Sequence, residues 1–81
     1  MEKVQVLLSA YNGEKYIKKQ IESILNQKEV EVSLLIRDDG SSDKTIEIIG
    51  KLADENSNIT FYKGENLGPA RSFMDLLNKS D

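Results

Sequence analysis

The sequence predicts an α/β protein with a mostly parallel sheet in three layers and the element order β-α-β-α-β-α. Three observations carry that expectation. Short runs of aliphatic and β-branched residues alternate with stretches whose apolar residues recur at helical spacing. Each short run ends in a cluster of Gly, Asn, Asp or Ser, which form turns more readily than they continue strands. The intervening loops are short, so each strand–helix–strand passage is a right-handed crossover between parallel strands.

The first strand contains Val4, Val6, Leu7 and Leu8 and runs into the loop Ser9-Ala10-Tyr11-Asn12-Gly13. From Glu14 the period changes. Ile17, Ile21, Ile24 and Leu25 share one helical face, opposite Lys18, Lys19, Glu22 and Asn26. Val30 to Ile36 is the second strand, and its nearly continuous Val32, Leu34, Leu35 and Ile36 suit a strand covered on both faces. It exits into the loop Arg37-Asp38-Asp39-Gly40-Ser41-Ser42-Asp43. A second helix places Ile46, Ile49, Leu52 and Ala53 on one face and fades at Asn56-Ser57-Asn58. Ile59 to Tyr62 is a short third strand, followed by a loop from Gly64 to Gly68. Pro69 suits the first position of a third helix, where its missing N–H is not needed. Ala70, Phe73, Met74 and Leu77 are expected to give that helix its apolar face. Three parallel strands make a thin sheet with open edges. Residues 1–81 are therefore expected to be part of a domain, at the front of a longer protein.

Composition narrows the function. At 81 residues there is no room for two domains. A chain of this size buries only about 60% of the surface that it exposes when unfolded. With no cysteine and no histidine, disulfides, Cys/His zinc sites and histidine-based catalytic triads are excluded within these residues. Fourteen acidic against eleven basic residues leave a net charge of −3 and no basic stripe, which argues against nucleic acid as a partner. No apolar stretch is long enough to span a bilayer, and Met1-Glu2-Lys3 leads into a strand rather than a signal peptide. A cytoplasmic location is expected.

Ligands of open parallel sheets bind beyond the carboxyl ends of the strands. Three loops lie there: Ser9–Gly13, Asp38–Asp43 and Lys63–Gly68. Tyr11 either stacks on a planar base or packs on its own loop. Asp38 and Asp39 are adjacent and so point to opposite sides, one toward the ligand crevice and the other into the loop. Asp43 reads as a helix cap or dipole partner. Arg71 reads either as a lone surface arginine or as a group reaching toward a diphosphate. The single Gly13 after the first strand excludes the dinucleotide fingerprint, and no P-loop or Asp-x-Asp is present. A receiver domain would carry its paired acids after the first strand, not the second.

Four strings in order then carry a resemblance: Val6-Leu7-Leu8-Ser9-Ala10-Tyr11-Asn12-Gly13-Glu14-Lys15-Tyr16-Ile17, Ile24-Leu25-Asn26-Gln27, Ile36-Arg37-Asp38-Asp39-Gly40-Ser41-Ser42-Asp43-Lys44-Thr45 and Glu65-Asn66-Leu67-Gly68. Together they resemble the amino-terminal half of a family 2 glycosyltransferase domain of GT-A fold, closest in flavour to bacterial rhamnosyltransferase-like members. The resemblance implies inverting transfer of a sugar from a UDP or dTDP donor to a glycan or lipid-linked acceptor in cell-surface polysaccharide synthesis. It implies that Ser9, Ala10 and Tyr11 line a nucleobase pocket, with Tyr11 as the stacking ring and Asn12 and Glu14 as loop or secondary contacts. Asp39 is similar to the acid that accepts the pyrimidine imide N–H, while Asp38 looks structural and Arg71 matches a nucleotide-supporting Gly-x-x-Arg. The family's metal-binding Asp-x-Asp and its general base would lie after Asp81. A Mg or Mn cation is thus implied for the full enzyme, with ligands outside these residues, and these residues alone are expected to be inactive. Work at the inner membrane face is implied for the full-length protein. Two other readings remain open: a non-catalytic interaction module pairing through its sheet edge, and another nucleotide enzyme in which Asp39 contacts a ribose.

Overall fold

A computed structural model describes residues 2–80. The elements are β1 (Glu2–Ala10), α1 (Ile17–Leu25), β2 (Val30–Asp38), α2 (Thr45–Glu55), β3 (Ile59–Lys63) and α3 (Pro69–Lys79). The three strands form one parallel sheet in the order β1-β2-β3. The α/β architecture and element order are those expected from the sequence.

Side chains alternate across a strand, so the sheet has two faces of different character. On one face Ala10, Leu34, Ile36 and Ile59 pack with Ile17 and Ile21 of α1 and with Ile49 and Leu52 of α2. This is the hydrophobic core. Both crossovers step in the same direction across the sheet, which places both helices on that face. The opposite face lies beneath α3, which packs on β1 and β2. There Leu35 is accompanied by the buried Arg37, and α3 contributes buried Ser72 and Leu76.

Two boundaries differ from expectation, and the ladder explains both. Ser9 pairs with Arg37 and Ala10 with Asp38, so these four residues belong to strands rather than loops. The pattern extends one step beyond, with the Asp39 N–H donating to the Ala10 carbonyl at 2.8 Å and the Gly64 N–H to the Asp38 carbonyl at 2.8 Å. At α1, Glu14–Tyr16 form a turn whose amides at Tyr16 and Ile17 both donate to the Gly13 carbonyl, and the helix begins at Ile17.

The apolar face expected for α3 requires a correction. Phe73, Met74 and Leu77 are 47%, 59% and 45% exposed, and Ala70 is also exposed. Ser72 and Leu76 face inward instead. The cause lies in β2. Arg37 stands on the face that α3 covers, and a buried guanidinium must have its donors satisfied. Asp75 and Ser72 supply acceptors, and their helical phase sets the rotation of α3. No described helix is long and apolar enough to cross a membrane.

Candidate functional site

The carboxyl ends of all three strands converge, and the loops leaving them are tied to one another. The Asn12 N–H donates to Ser41 Oγ at 2.9 Å, and the Ser42 N–H donates to Asn12 Oδ1 at 2.9 Å. The Gly13 N–H reaches Thr45 Oγ1 at 2.7 Å, and the Glu14 N–H reaches Asp43 Oδ2 at 3.2 Å. Asp43 also accepts the Thr45 N–H at 2.9 Å together with its hydroxyl, and these donors, the hydroxyl above all, hold its carboxyl below the usual range. Asp38 is fully buried and accepts the Ser41 N–H at 3.0 Å and the Ser41 hydroxyl at 2.6 Å. Most of the polar residues in the first two loops therefore satisfy each other.

Asp39 differs, because it connects the loops to a buried network. Its side chain accepts from Arg37, and the pair is 6% and 2% exposed respectively. Asp39 Oδ1 accepts from Arg37 Nη1 and from the Leu67 N–H at 3.0 Å, while Oδ2 accepts the Gly68 N–H at 3.2 Å. Gly68 can present that amide because it adopts φ 84 and ψ 165, a conformation that is essentially glycine-only. Arg37 also donates through Nε to Asp75 Oδ2 at 2.9 Å, through Nη1 to Ser72 Oγ at 3.2 Å, and through Nη2 to the Glu65 carbonyl at 2.9 Å. Tyr62 completes the set with its hydroxyl on Asp75 Oδ2 at 2.8 Å. Gly64 lies directly against the guanidinium, and a Cβ there would collide with it.

The charge states follow from these contacts. Burial alone would raise the Asp39 carboxyl, but the Leu67 N–H, the Arg37 guanidinium and the Gly68 N–H together hold it below the usual carboxylate range. Burial also works against the charge on Arg37, but Asp75 and Asp39 outweigh it and raise its pKa. The Tyr62 hydroxyl and then Arg37 keep Asp75 low. Burial, followed by the Asp75 carboxylate, pushes Tyr62 up to about 12. Among the described residues, no buried side-chain nitrogen or oxygen lacks a partner.

A cavity of about 360 Å³ opens beside this network, lined by Ser9, Tyr11, Tyr16, Asp39, Asn66, Gly68 and Pro69. Its size suits a small ligand. A larger groove of about 560 Å³ lies between the carboxyl ends of α1 and α2, lined by Glu22, Leu25, Asn26, Leu52, Glu55 and Asn56. Helix carbonyl ends and two glutamates make that groove unfavourable for an anion. Of the residues expected from the sequence, Ser9, Tyr11 and Asp39 meet at the smaller cavity. Tyr11 is half exposed, and Ser9 shares a hydroxyl hydrogen bond with Ser72. Ala10 is buried in the hydrophobic core. Asn12 and Glu14 belong to the loop-bracing set, Asp38 holds Ser41, and Arg71 is exposed on α3; none of the four lines the cavity.

Comparison with known proteins shows the family of the chain. The model of the family described as glycosyl transferase family 2 matches residues 5–81. The chain belongs to that family. An uncharacterised glycosyltransferase of Haemophilus influenzae is 38% identical over 68 residues, covering 83% of this chain and 27% of that protein. A chondroitin synthase of Pasteurella multocida is 37% identical over 67 residues, covering 83% of this chain and 7% of the synthase. A dTDP-rhamnosyl transferase of Shigella flexneri is 46% identical over 41 residues, covering 51% of this chain and 14% of that enzyme. The chain thus spans about a quarter or less of the length of these relatives.

Reading the sequence missed the network of Arg37, Ser72 and Asp75 that holds Asp39, and missed Tyr16 and Asn66 in the cavity wall. A signal for Arg37 was available. It directly follows Leu34-Leu35-Ile36, so a strand extended by one residue carries a charge into a covered position. The position of Asp75 gives no such signal, because an acid on a short helix usually marks the solvent side.

Proposed function

We propose that this chain is the donor-nucleotide segment of a glycosyltransferase that moves a sugar from a UDP or dTDP donor to an acceptor hydroxyl, with inversion, in cell-surface polysaccharide synthesis. The observation that carries this reading is the cavity beyond the strand ends, where Tyr11 offers a half-exposed ring and Asp39 forms part of the wall. A carboxylate has about four acceptor positions, and three on Asp39 are filled by Arg37, Leu67 and Gly68. The remaining position on Oδ2 suits a donor from a ligand. Uracil and thymine offer an imide N–H there, whereas cytosine offers an acceptor at the same ring position. Ser9 is a further polar wall group, and Arg71 supports the diphosphate from α3. Work on glycan chains or lipid-linked acceptors in the cytoplasm, at the inner membrane face, completes the proposal for the whole enzyme.

The family implies a divalent cation, Mg or Mn, which would offset the diphosphate charge when bound. The residues described here do not supply its site. Among them no group of three or more acids, histidines or cysteines comes together, and both carboxylates of the Asp38-Asp39 pair are engaged by protein donors.

The test is equilibrium binding of uridine, thymidine and adenosine diphosphates to the wild-type chain and to Asp39→Asn. Wild-type protein is expected to favour the pyrimidine nucleotides by about tenfold or more, and Asp39→Asn to lose most of that preference. Equal binding of adenine and uracil nucleotides by the wild type contradicts the proposal. A second reading, an interaction module that self-associates, is favoured by the unpaired outer edges of β1 and β3 among the described residues and by exposed Phe73, Met74 and Leu77. Its signature is concentration-dependent oligomerisation with no response to nucleotide.

A further inference from the structure

Arg37 is the largest fully buried side chain of the described residues, and the sequence reading gave it no role of its own at the nucleotide site. It is held from four directions. Asp75 takes Nε, Ser72 and Asp39 take Nη1, and the Glu65 carbonyl takes Nη2. These contacts come from α3, from the residue following β2, and from the loop between β3 and α3. The guanidinium is therefore fixed before any ligand arrives. Gly64 leaves the room that it needs.

We propose that Arg37 is a positioning residue for base selection: by filling Oδ1 of Asp39, together with the Leu67 N–H, it leaves Oδ2 as the only acceptor for the ligand. This rests on the donor-nucleotide reading above. A carboxylate free to rotate could offer either oxygen and, when protonated, could also donate. The held one presents a single acceptor and no donor. Such a wall accepts the imide N–H of uracil and opposes the lone pair of cytosine at the same ring position. A mismatched buried polar contact of this kind is worth about tenfold to a hundredfold in affinity.

Asp39 is touched by Arg37 from β2 and by the Leu67 and Gly68 N–H groups; Ser72 and Asp75 from α3 hold the guanidinium, Tyr62 from β3 holds Asp75, and Tyr11 and Tyr16 line the same cavity. Loss of the Arg37 charge leaves the buried Asp39 carboxylate with backbone donors alone, which favours its protonated form relative to wild type. The protonated carboxyl can donate to cytosine. Base preference would then depend on pH, an effect that a purely structural arginine would not produce.

The experiment compares binding of uridine and cytidine diphosphates to wild type, Arg37→Met and Arg37→Lys, from about pH 5 to pH 8. Wild type is expected to prefer uridine by about tenfold or more, with a flat profile across that range. Arg37→Met is expected to lose most of the preference, with the steepest loss at the acid end, while Arg37→Lys recovers part of it by restoring the charge. A folded Arg37→Met that keeps the wild-type preference and its flat profile overturns the assignment. Equal binding of the two nucleotides by wild type instead overturns the donor-nucleotide reading, and this assignment with it. If Arg37→Met fails to fold, Asp75→Ala carries the test, since that side chain is 33% exposed. Release of the Nε hold is expected to lower the preference, and an unchanged preference overturns the assignment.

Discussion

Asp39 and Arg37 form a buried ion pair, and Asp39 also lines the cavity beyond the strand ends. Such pairs contribute little net stability compared with well-packed apolar residues, yet breaking one costs about 3–5 kcal/mol. Here the pair fixes one carboxylate at the mouth of a cavity. Its linkage to pH follows from the direction of the shift. The Asp39 carboxyl is held below its unfolded value, so its contribution to stability is complete above the ordinary carboxylate range and is lost as pH falls through the lower folded value. Asp43 and Asp75 act in the same direction. Tyr62 has the opposite behaviour, with a contribution complete below about pH 10 and lost as pH rises toward about 12. Urea denaturation as a function of pH is expected to give a plateau between these limits, falling at both ends. A stability maximum at acid pH contradicts the network. Much of this was hidden in the sequence, because Asp38-Asp39-Gly40-Ser41-Ser42-Asp43 is explained equally well as a set of caps and turns. Structure divides the string by role. Asp38, Ser41, Ser42 and Asp43 brace loops, and Asp39 alone reaches the cavity.

At the scale of the element, α3 is the part that periodicity misread. Its most apolar face, carrying Phe73, Met74 and Leu77, is exposed, while Ser72, Asp75 and Leu76 meet the sheet. Hydrophobic spacing predicts burial when a helix covers an apolar surface. The surface beneath this helix contains Arg37 and Tyr62, and their hydrogen bonds fix its rotation. Denaturation of two neighbouring alanine variants tests that rotation directly. Leu76→Ala removes a fully buried side chain and is expected to cost about 2–5 kcal/mol. Leu77→Ala acts on a half-exposed side chain and is expected to stay within about 0.5 kcal/mol of wild type. The reverse order would place α3 as its hydrophobic spacing suggests and remove Asp75 from Arg37. For α1 and α2 no such conflict exists. Ile17 and Ile21, and likewise Ile49 and Leu52, are buried as their spacing predicts, because they meet Ala10, Leu34, Ile36 and Ile59 on the sheet face beneath them.

For the whole molecule, alternation of strands and helices was sufficient to obtain the parallel sheet, while the strand order β1-β2-β3 came from the structure. It also pointed to the candidate site, because loops at the carboxyl ends of parallel strands converge whatever their sequence. Alternation could not say which loop residues face the cavity. That depends on side-chain contacts between segments far apart in the chain, such as Ser9 with Ser72 and Asp39 with Gly68. We propose that this convergence forms a pyrimidine nucleotide site, with Asp39 selecting the base. Its most direct test is a heteronuclear amide NMR spectrum of the chain, titrated in turn with uridine, thymidine and adenosine diphosphates. The account predicts saturable shifts at Tyr11, Asp39 and Gly68 with both pyrimidine nucleotides, and little response to adenosine diphosphate. A well-dispersed spectrum that responds equally to all three, or to none, would contradict it.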